Sequence, residues 1–211
     1  MHIGFLLYPR LTQLDLTGPW EVLSRGPDAQ CHLLWKTTDV LHSDTGLPLQ
    51  PTCTFAAAPR LDVLVVPGGS AGTRAVMQDQ EVLDFLREQA EHARYVTSVC
   101  TGALVLGAAG LLDGYRATTH WSSVDELVPF GAIPTAGRVV RDRNRFTGGG
   151  VTAGIDFGLT LAAELWGETT AMAIQLGLEY APAPPFAAGT PDTAPPEVVQ
   201  LLQAYYASRS A

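Results

Sequence analysis

The chain has 211 residues, 46% hydrophobic and 16% charged, which suits one compact domain with a closed core and excludes a disordered chain or a coiled coil. Thirteen Lys+Arg stand against 21 Asp+Glu, a formal net charge of −8 with Lys36 the only lysine, so the clustered cations that displace phosphate counterions are missing and direct nucleic-acid binding is not expected. The three cysteines share no CxxC spacing and the five histidines no HxxxH or HExxH pattern, so no disulfide scaffold and no metal site is expected.

Short β-rich runs alternate with amphipathic stretches along the chain, the pattern of an α/β sheet. Residues 3–7 read as a buried strand closed by Pro9, followed by a loop holding Asp15 and a helix around 19–24. A second strand is expected at 32–35, and 41–55 reads as extended edge structure with Gly46 and Pro48 placed for a turn. The run Asp62-Val63-Leu64-Val65-Val66 is the clearest central strand, since an unbroken β-branched run implies burial on both faces, and it stops at Pro67-Gly68-Gly69. Val82, Phe85, Leu86 and Ala90 recur at helical spacing, and 95–99 reads as a strand running straight into Cys100. A helix is expected over 103–109, a short one over 124–127, and a hairpin around Asp142-Arg143-Asn144. Two helices, about 153–166 and 169–180, precede a Pro/Ala/Thr-rich irregular stretch at 182–196 and a last short helix near 197–206. The reading is one domain over residues 1–181, with 182–211 closing it. Residues 1–9 lack the basic and long apolar regions of a signal peptide, and no apolar run approaches the ~20 residues of a membrane helix; a cytoplasmic protein without membrane contact is expected.

The sequence Ser98-Val99-Cys100-Thr101-Gly102-Ala103 joins strand to helix. A nucleophile on such a sharp turn is displayed above the sheet, with small neighbours relieving the crowding. The start of the following helix aims free N–H groups at the thiol and favours its thiolate. A small buried apolar cysteine fits the same position. Pro67-Gly68-Gly69-Ser70 closes the other central strand, where paired glycines let backbone N–H groups converge on an anion, and two such loops frame the carboxyl-edge crevice of an open sheet. Asp15 sits between Leu14 and Leu16, where desolvation would push it toward protonation, although an ordinary turn or cap aspartate is the more frequent fate of Asp near Gly-Pro. Arg138, Arg141, Arg143 and Arg145 form the one basic group and read as a solvated face; Cys31 and Cys53 read as packing.

Asp15-x-x-Gly18-Pro19-x-Glu21, Val66-Pro67-Gly68-Gly69, Cys100-Thr101-Gly102-Ala103, Gly110-Leu111-Leu112-Asp113-Gly114 and Ala117-Thr118-Thr119-His120-Trp121 resemble the DJ-1/PfpI superfamily, in its motif order and over roughly residues 2–180. Within it they are most similar to isocyanide hydratases and to the amidotransferase-like sensor domains of AraC-type regulators; too few residues and too little positive charge follow the last domain helix for the regulators' helix-turn-helix. Peptidase-like and deglycase-like members have His directly after the cysteine, where this chain has Thr101, and DJ-1 itself has Glu in place of Asp15.

The resemblance implies a flavodoxin-like three-layer α/β sandwich around a mostly parallel sheet, a homodimer, and a cofactor-free hydration of an isocyanide to an N-formamide. It casts Cys100 as nucleophile, Asp15 as proton donor and then base, and Thr101 as holder of a water. Backbone N–H groups near Gly69 and Thr101 would stabilise negative charge. Leu16, Trp20, Glu21, His120, Val151 and Thr152 are the expected pocket residues, each also explained as core, surface or helix cap. Two other readings stay open: a ligand- or redox-sensing module without turnover, and a lyase or hydrolase in which His120 reaches Cys100 as base.

Overall fold

The computed structural model describes residues 1–210. In chain order the elements are β1 (His2–Leu6), α1 (Gln13–Leu23), β2 (Gln30–Trp35), β3 (Leu41–His42), β4 (Pro48–Leu49), β5 (Cys53–Thr54), β6 (Val63–Val66), α2 (Ser70–Val76), α3 (Gln80–Ala90), β7 (Tyr95–Val99), α4 (Gly102–Ala108), β8 (Arg116–Ala117), β9 (Ile133–Pro134), β10 (Val139–Asp142), β11 (Arg145–Gly148), α5 (Ala153–Trp166), α6 (Glu168–Gly177) and α7 (Pro196–Ser210). A 3₁₀ turn (Phe55–Ala57) and a longer 3₁₀ segment (Trp121–Phe130) lie between them.

Seven strands form one sheet in the order β10-β11-β7-β6-β1-β2-β5. Every pairing is parallel except that of β10 with β11. β6 and β7 are buried at every residue, as the unbroken apolar run of β6 requires of a central parallel strand. Helices α1, α5 and α6 pack together as one group, and α2, α3 and α4 as another, so the α/β sandwich expected from the sequence is the fold observed. β3 and β4 pair in a separate hairpin whose turn uses Gly46 at φ 88°. No helix among the described residues is long and apolar enough to cross a membrane.

Four expectations are corrected. Asp15 lies in the first turn of α1, not in a loop, and the helix runs on through Pro19. Pro19 leaves the Asp15 carbonyl without its helical donor, but it is seated against α5, where a Cβ on Gly154 would come within 3.0 Å of its ring; tertiary packing overrides the breaker signal. The short helix expected near 124–127 is a 3₁₀ segment of ten residues, α2 had no sequence expectation at all, and α7 is longer than expected. Arg138, Arg141 and Arg143 are exposed as expected of a solvated face, and only Arg145 is buried. Arg138 pairs with Asp156 at 2.7 Å and Arg141 with Glu164 at 2.7 Å, both acids from α5, while the buried Arg145 donates Nε to the Leu111 carbonyl at 2.8 Å and lies with Arg143 over the Tyr115 ring. These contacts tie the edge hairpin to its neighbours.

The chain leaves β1 toward β2 on one side and toward β6 on the other. That reversal is the switch point where open α/β sheets leave a crevice at the strands' carboxyl ends. The segments that follow β1, β6 and β7 all open there.

Candidate active site

Cys100 adopts φ 55°, a left-handed conformation that costs a non-glycine residue roughly 1–3 kcal/mol. Hydrogen bonds hold it there. Its N–H is shared between the carbonyls of Gly148 (3.0 Å) and Gly149 (2.8 Å) at the end of β11, and its own carbonyl accepts from Thr119 Oγ1 at 2.8 Å. Gly102 then turns the chain into α4 close against the Val66 and Pro67 carbonyls, where a Cβ would have no room. The sequence-level elbow is therefore real, and its cause is the small residue after Thr101.

Asp15 is fully buried. Its Oδ2 accepts the Gly68 N–H at 3.0 Å, while Oδ1 receives no N–H or O–H from the described residues. The carboxyl lies within hydrogen-bonding reach of the Cys100 thiol. Burial pushes Asp15 up to about 7, against the opposing pull of the Cys100 and Gly68 hydrogen bonds. Burial also pushes the Cys100 thiol up, and the Asp15 charge adds to it, while the Thr101 N–H and hydroxyl work the other way. The expected lowering of the thiol by a helix N-terminus is thus corrected: α4 is one short helix, and desolvation outweighs it. What the site builds instead is two buried acids held side by side, both pushed up by burial, with the Thr101 N–H and hydroxyl opposing that rise at the sulfur.

Gly68 sits between these groups. A Cβ there would lie 2.6 Å from both Thr101 N and Thr101 Oγ1 and 2.8 Å from Asp15 Oδ2. Gly68→Ala is expected to destabilise the fold by about 1–3 kcal/mol and to separate Asp15 from Thr101. Turnover should then fall further than the unfolded fraction explains, as denaturation and kcat measured on one sample would show.

The remaining expected residues are placed as follows. Thr101 caps α4 without a side-chain cap bond; its Oγ1 accepts the Gly69 N–H at 3.1 Å and lies 2.9 Å from Thr73 Oγ1. The Gly69 N–H, expected to face developing charge, is thereby turned onto Thr101. Leu16 is buried in the core, and Trp20 packs on Phe5 at 5.1 Å. Glu21 pairs with Arg25 and lines a cavity of about 350 Å³ with Leu14, Thr17, Gly18 and Ile155, on a different face of α1 from Asp15. Val151 is half-buried in the turn before α5, and the Thr152 hydroxyl accepts from Arg138 at 3.1 Å. His120 Nδ1 meets Ser122 Oγ at 2.8 Å rather than the thiol, burial lowers its pKa, and no Cys–His pair forms among the described residues. Cys31 and Cys53 are half-buried, with Cys31 pushed up to about 11 by burial.

The structure adds residues that sequence reasoning did not find. Tyr8 and Thr73 are buried behind Thr101. From α7, Tyr206 sets its ring across His120 at 5.8 Å and near Trp121 at 6.4 Å, close enough for the Cys100 charge to raise its pKa alongside burial. Among the described residues no three metal-ligating side chains come together.

The DJ-1/PfpI family model matches residues 1–164. The chain belongs to the DJ-1/PfpI family. This family member is 63% identical over 199 residues to the isonitrile hydratase of Pseudomonas putida, covering 94% of this chain and 87% of that one. It is 34% identical over 181 residues to the HTH-type transcriptional regulator GbdR of Pseudomonas aeruginosa, covering 82% of this chain but 48% of the regulator. A crystal structure of a ThiJ/PfpI family protein from Pseudomonas syringae superposes with a TM-score of 0.94 at 48% identity, over 99% of this chain and 88% of that one. Drosophila melanogaster DJ-1beta shares the fold at a TM-score of 0.78 and 24% identity.

Proposed function

We propose that this DJ-1/PfpI protein is an isonitrile hydratase that adds water to an isocyanide to give an N-formamide, with Cys100, Asp15 and Thr101 as its working residues. The observation that carries the reading is a fully buried carboxyl set against a thiol on a strained turn. The high identity to the Pseudomonas putida isonitrile hydratase along nearly the whole chain supports it. An isocyanide carbon needs a nucleophile and a proton at the same atom, and a thiol beside a carboxyl offers both. Its linear two-atom head also suits a sulfur whose residue is only 6% exposed.

In the proposed reaction the Cys100 thiolate attacks the terminal carbon and the protonated Asp15 delivers its proton there, giving the thioimidate R–N=CH–S–Cys100. The Asp15 carboxylate next takes a proton from a water held at Thr101 as the water oxygen bonds to the same carbon. Asp15 passes that proton to the nitrogen. It then takes the hydroxyl proton as the C–S bond breaks, which releases R–NH–CHO and returns the thiolate beside a protonated Asp15. One isocyanide and one water are consumed, and nothing is oxidised or reduced. The Thr101 N–H, which opposes the rise of the Cys100 thiol, steadies charge on the sulfur in both halves.

The proposal includes a small-molecule substrate, a cytoplasmic location and a homodimer, the last supported by the apolar side chains of Met172, Leu176 and Leu201 that the single chain leaves exposed. It also keeps residues 1–181 and 182–211 as one domain, since Tyr206 reaches the site. Purified protein is expected to convert cyclohexyl isocyanide to N-cyclohexylformamide, followed by proton NMR of the formyl signal. Binding without conversion would favour a sensing module and overturn the reading.

A further inference from the structure

A file of three hydroxyls, buried at Tyr8 and Thr73 and half-buried at Thr101, runs up to the site from below. Tyr8 Oη donates to the Pro67 carbonyl at 2.8 Å and lies 3.2 Å from Thr73 Oγ1. Thr73 Oγ1 in turn lies 2.9 Å from Thr101 Oγ1, which accepts the Gly69 N–H at 3.1 Å. Tyr8 and Thr73 are 0% and 1% exposed, so the contacts of Tyr8 with Pro67 and Thr73 have no bulk water to compete with.

Each hydroxyl owns one proton. A carbonyl oxygen can only accept, so the Tyr8 proton is committed to Pro67 and Tyr8 can only accept from Thr73. Thr73 therefore has one proton and two acceptors to choose from. When it donates to Thr101, both lone pairs of Thr101 are filled, by Thr73 and by the Gly69 N–H, and the Thr101 proton is left for the Cys100 side. When it donates to Tyr8, Thr101 must donate to Thr73, and one Thr101 lone pair is left facing the site. Switching between the two needs only rotation of two hydroxyls.

We propose that Thr73, seated on Tyr8, is a positioning residue that lets the Thr101 hydroxyl reverse: donor to the sulfur while the sulfur is anionic, acceptor toward a thiol or a water once it is not. The inference deepens the hydratase reading and rests on the role given there to Thr101. The first direction serves attack by the thiolate. The second serves the hydrolytic half, where the water needs an acceptor to hold it and the sulfur no longer needs a donor.

Removing either end of the relay locks Thr101 as a donor. In Thr73→Val it loses the acceptor for its proton; in Tyr8→Phe the Thr73 proton has nowhere to go but Thr101. Two opposite effects are expected in both variants. The midpoint of Cys100 alkylation by iodoacetamide should move to lower pH, with a rate about three- to tenfold above wild type below the midpoint, read by mass spectrometry on the Cys100 peptide. Turnover of cyclohexyl isocyanide should meanwhile fall at least about tenfold in kcat, with KM falling too. Thr73→Ser, which keeps the hydroxyl, should restore both. A merely structural defect would lower reactivity and turnover together. An unshifted or upward-shifted alkylation midpoint in folded Thr73→Val and Tyr8→Phe, or failure of Thr73→Ser to restore it, would overturn the proposal. Should wild type leave isocyanides unchanged, the hydratase reading falls and the alkylation midpoints alone decide this one.

Discussion

Cys100→Ser is expected to lower turnover by at least about 10³-fold while leaving the fold within about 1 kcal/mol of wild type. The elbow makes this a clean comparison. Serine is close in shape though slightly smaller, meets the same left-handed strain at φ 55° and keeps the backbone bonds from the Cys100 N–H to Gly148 and Gly149 and from Thr119 to its carbonyl. What changes is acidity. Even with burial pushing it up, a thiol yields its proton far more readily than a hydroxyl in the same place, and the site brings no histidine base to activate a hydroxyl because His120 is turned to Ser122. Formamide production followed by NMR, beside a denaturant melt of both proteins, checks the two halves.

Asp15→Asn is expected to cost about 10²–10⁴ in kcat and, unusually for an active-site change, to raise stability at alkaline pH. The sign follows from burial. Asp15 is pushed up to about 7 in the folded chain, against about 3.9 unfolded. Between those values the native state holds a proton that the unfolded state has released. The stability this group contributes is therefore full below about pH 4, falls as pH rises and is lost by about pH 7, over a range of at most about 4 kcal/mol. Asparagine keeps an oxygen for the Gly68 N–H and has no charge to bury, so its stability should lack that slope. For the wild type, kcat/KM should decline above about pH 7 as the proton donor is lost. Melts and rate profiles between pH 5 and 9 test both slopes.

Much of this was readable from local sequence. β6 is legible as an unbroken apolar run and β7 as a strand running into Cys100, and Gly102 with Ala103 mark the elbow because a tight strand-to-helix turn has no room for larger residues. Asp15 was recognisable as an acid in an apolar frame, but its place in a helix was not. Gly18-Pro19 is a turn signal on its own, and only the close seat of Pro19 against Gly154, more than a hundred residues away, reverses it. Tyr8 and Thr73 carried no signal for the same reason: their partners lie 59 and 28 residues away. α2 is too short and polar to show a helical stripe. Alternation around the hairpin marks Arg138, Arg141 and Arg143 as exposed, but says nothing of the buried seat of Arg145 or of Asp156 and Glu164 on α5. Tyr206 reaches the site from a helix that follows a Pro/Ala-rich stretch, where sequence pattern fixes no direction.

The central claim is a covalent bond between the Cys100 sulfur and the isocyanide carbon, and intact-protein mass spectrometry after rapid acid quench reads it directly. During turnover the wild-type chain should gain the mass of one isocyanide, mapped to the peptide holding Cys100 and not to those of Cys31 or Cys53. Steady formamide production with no such adduct at any quench time, or with the adduct on another cysteine, would contradict it.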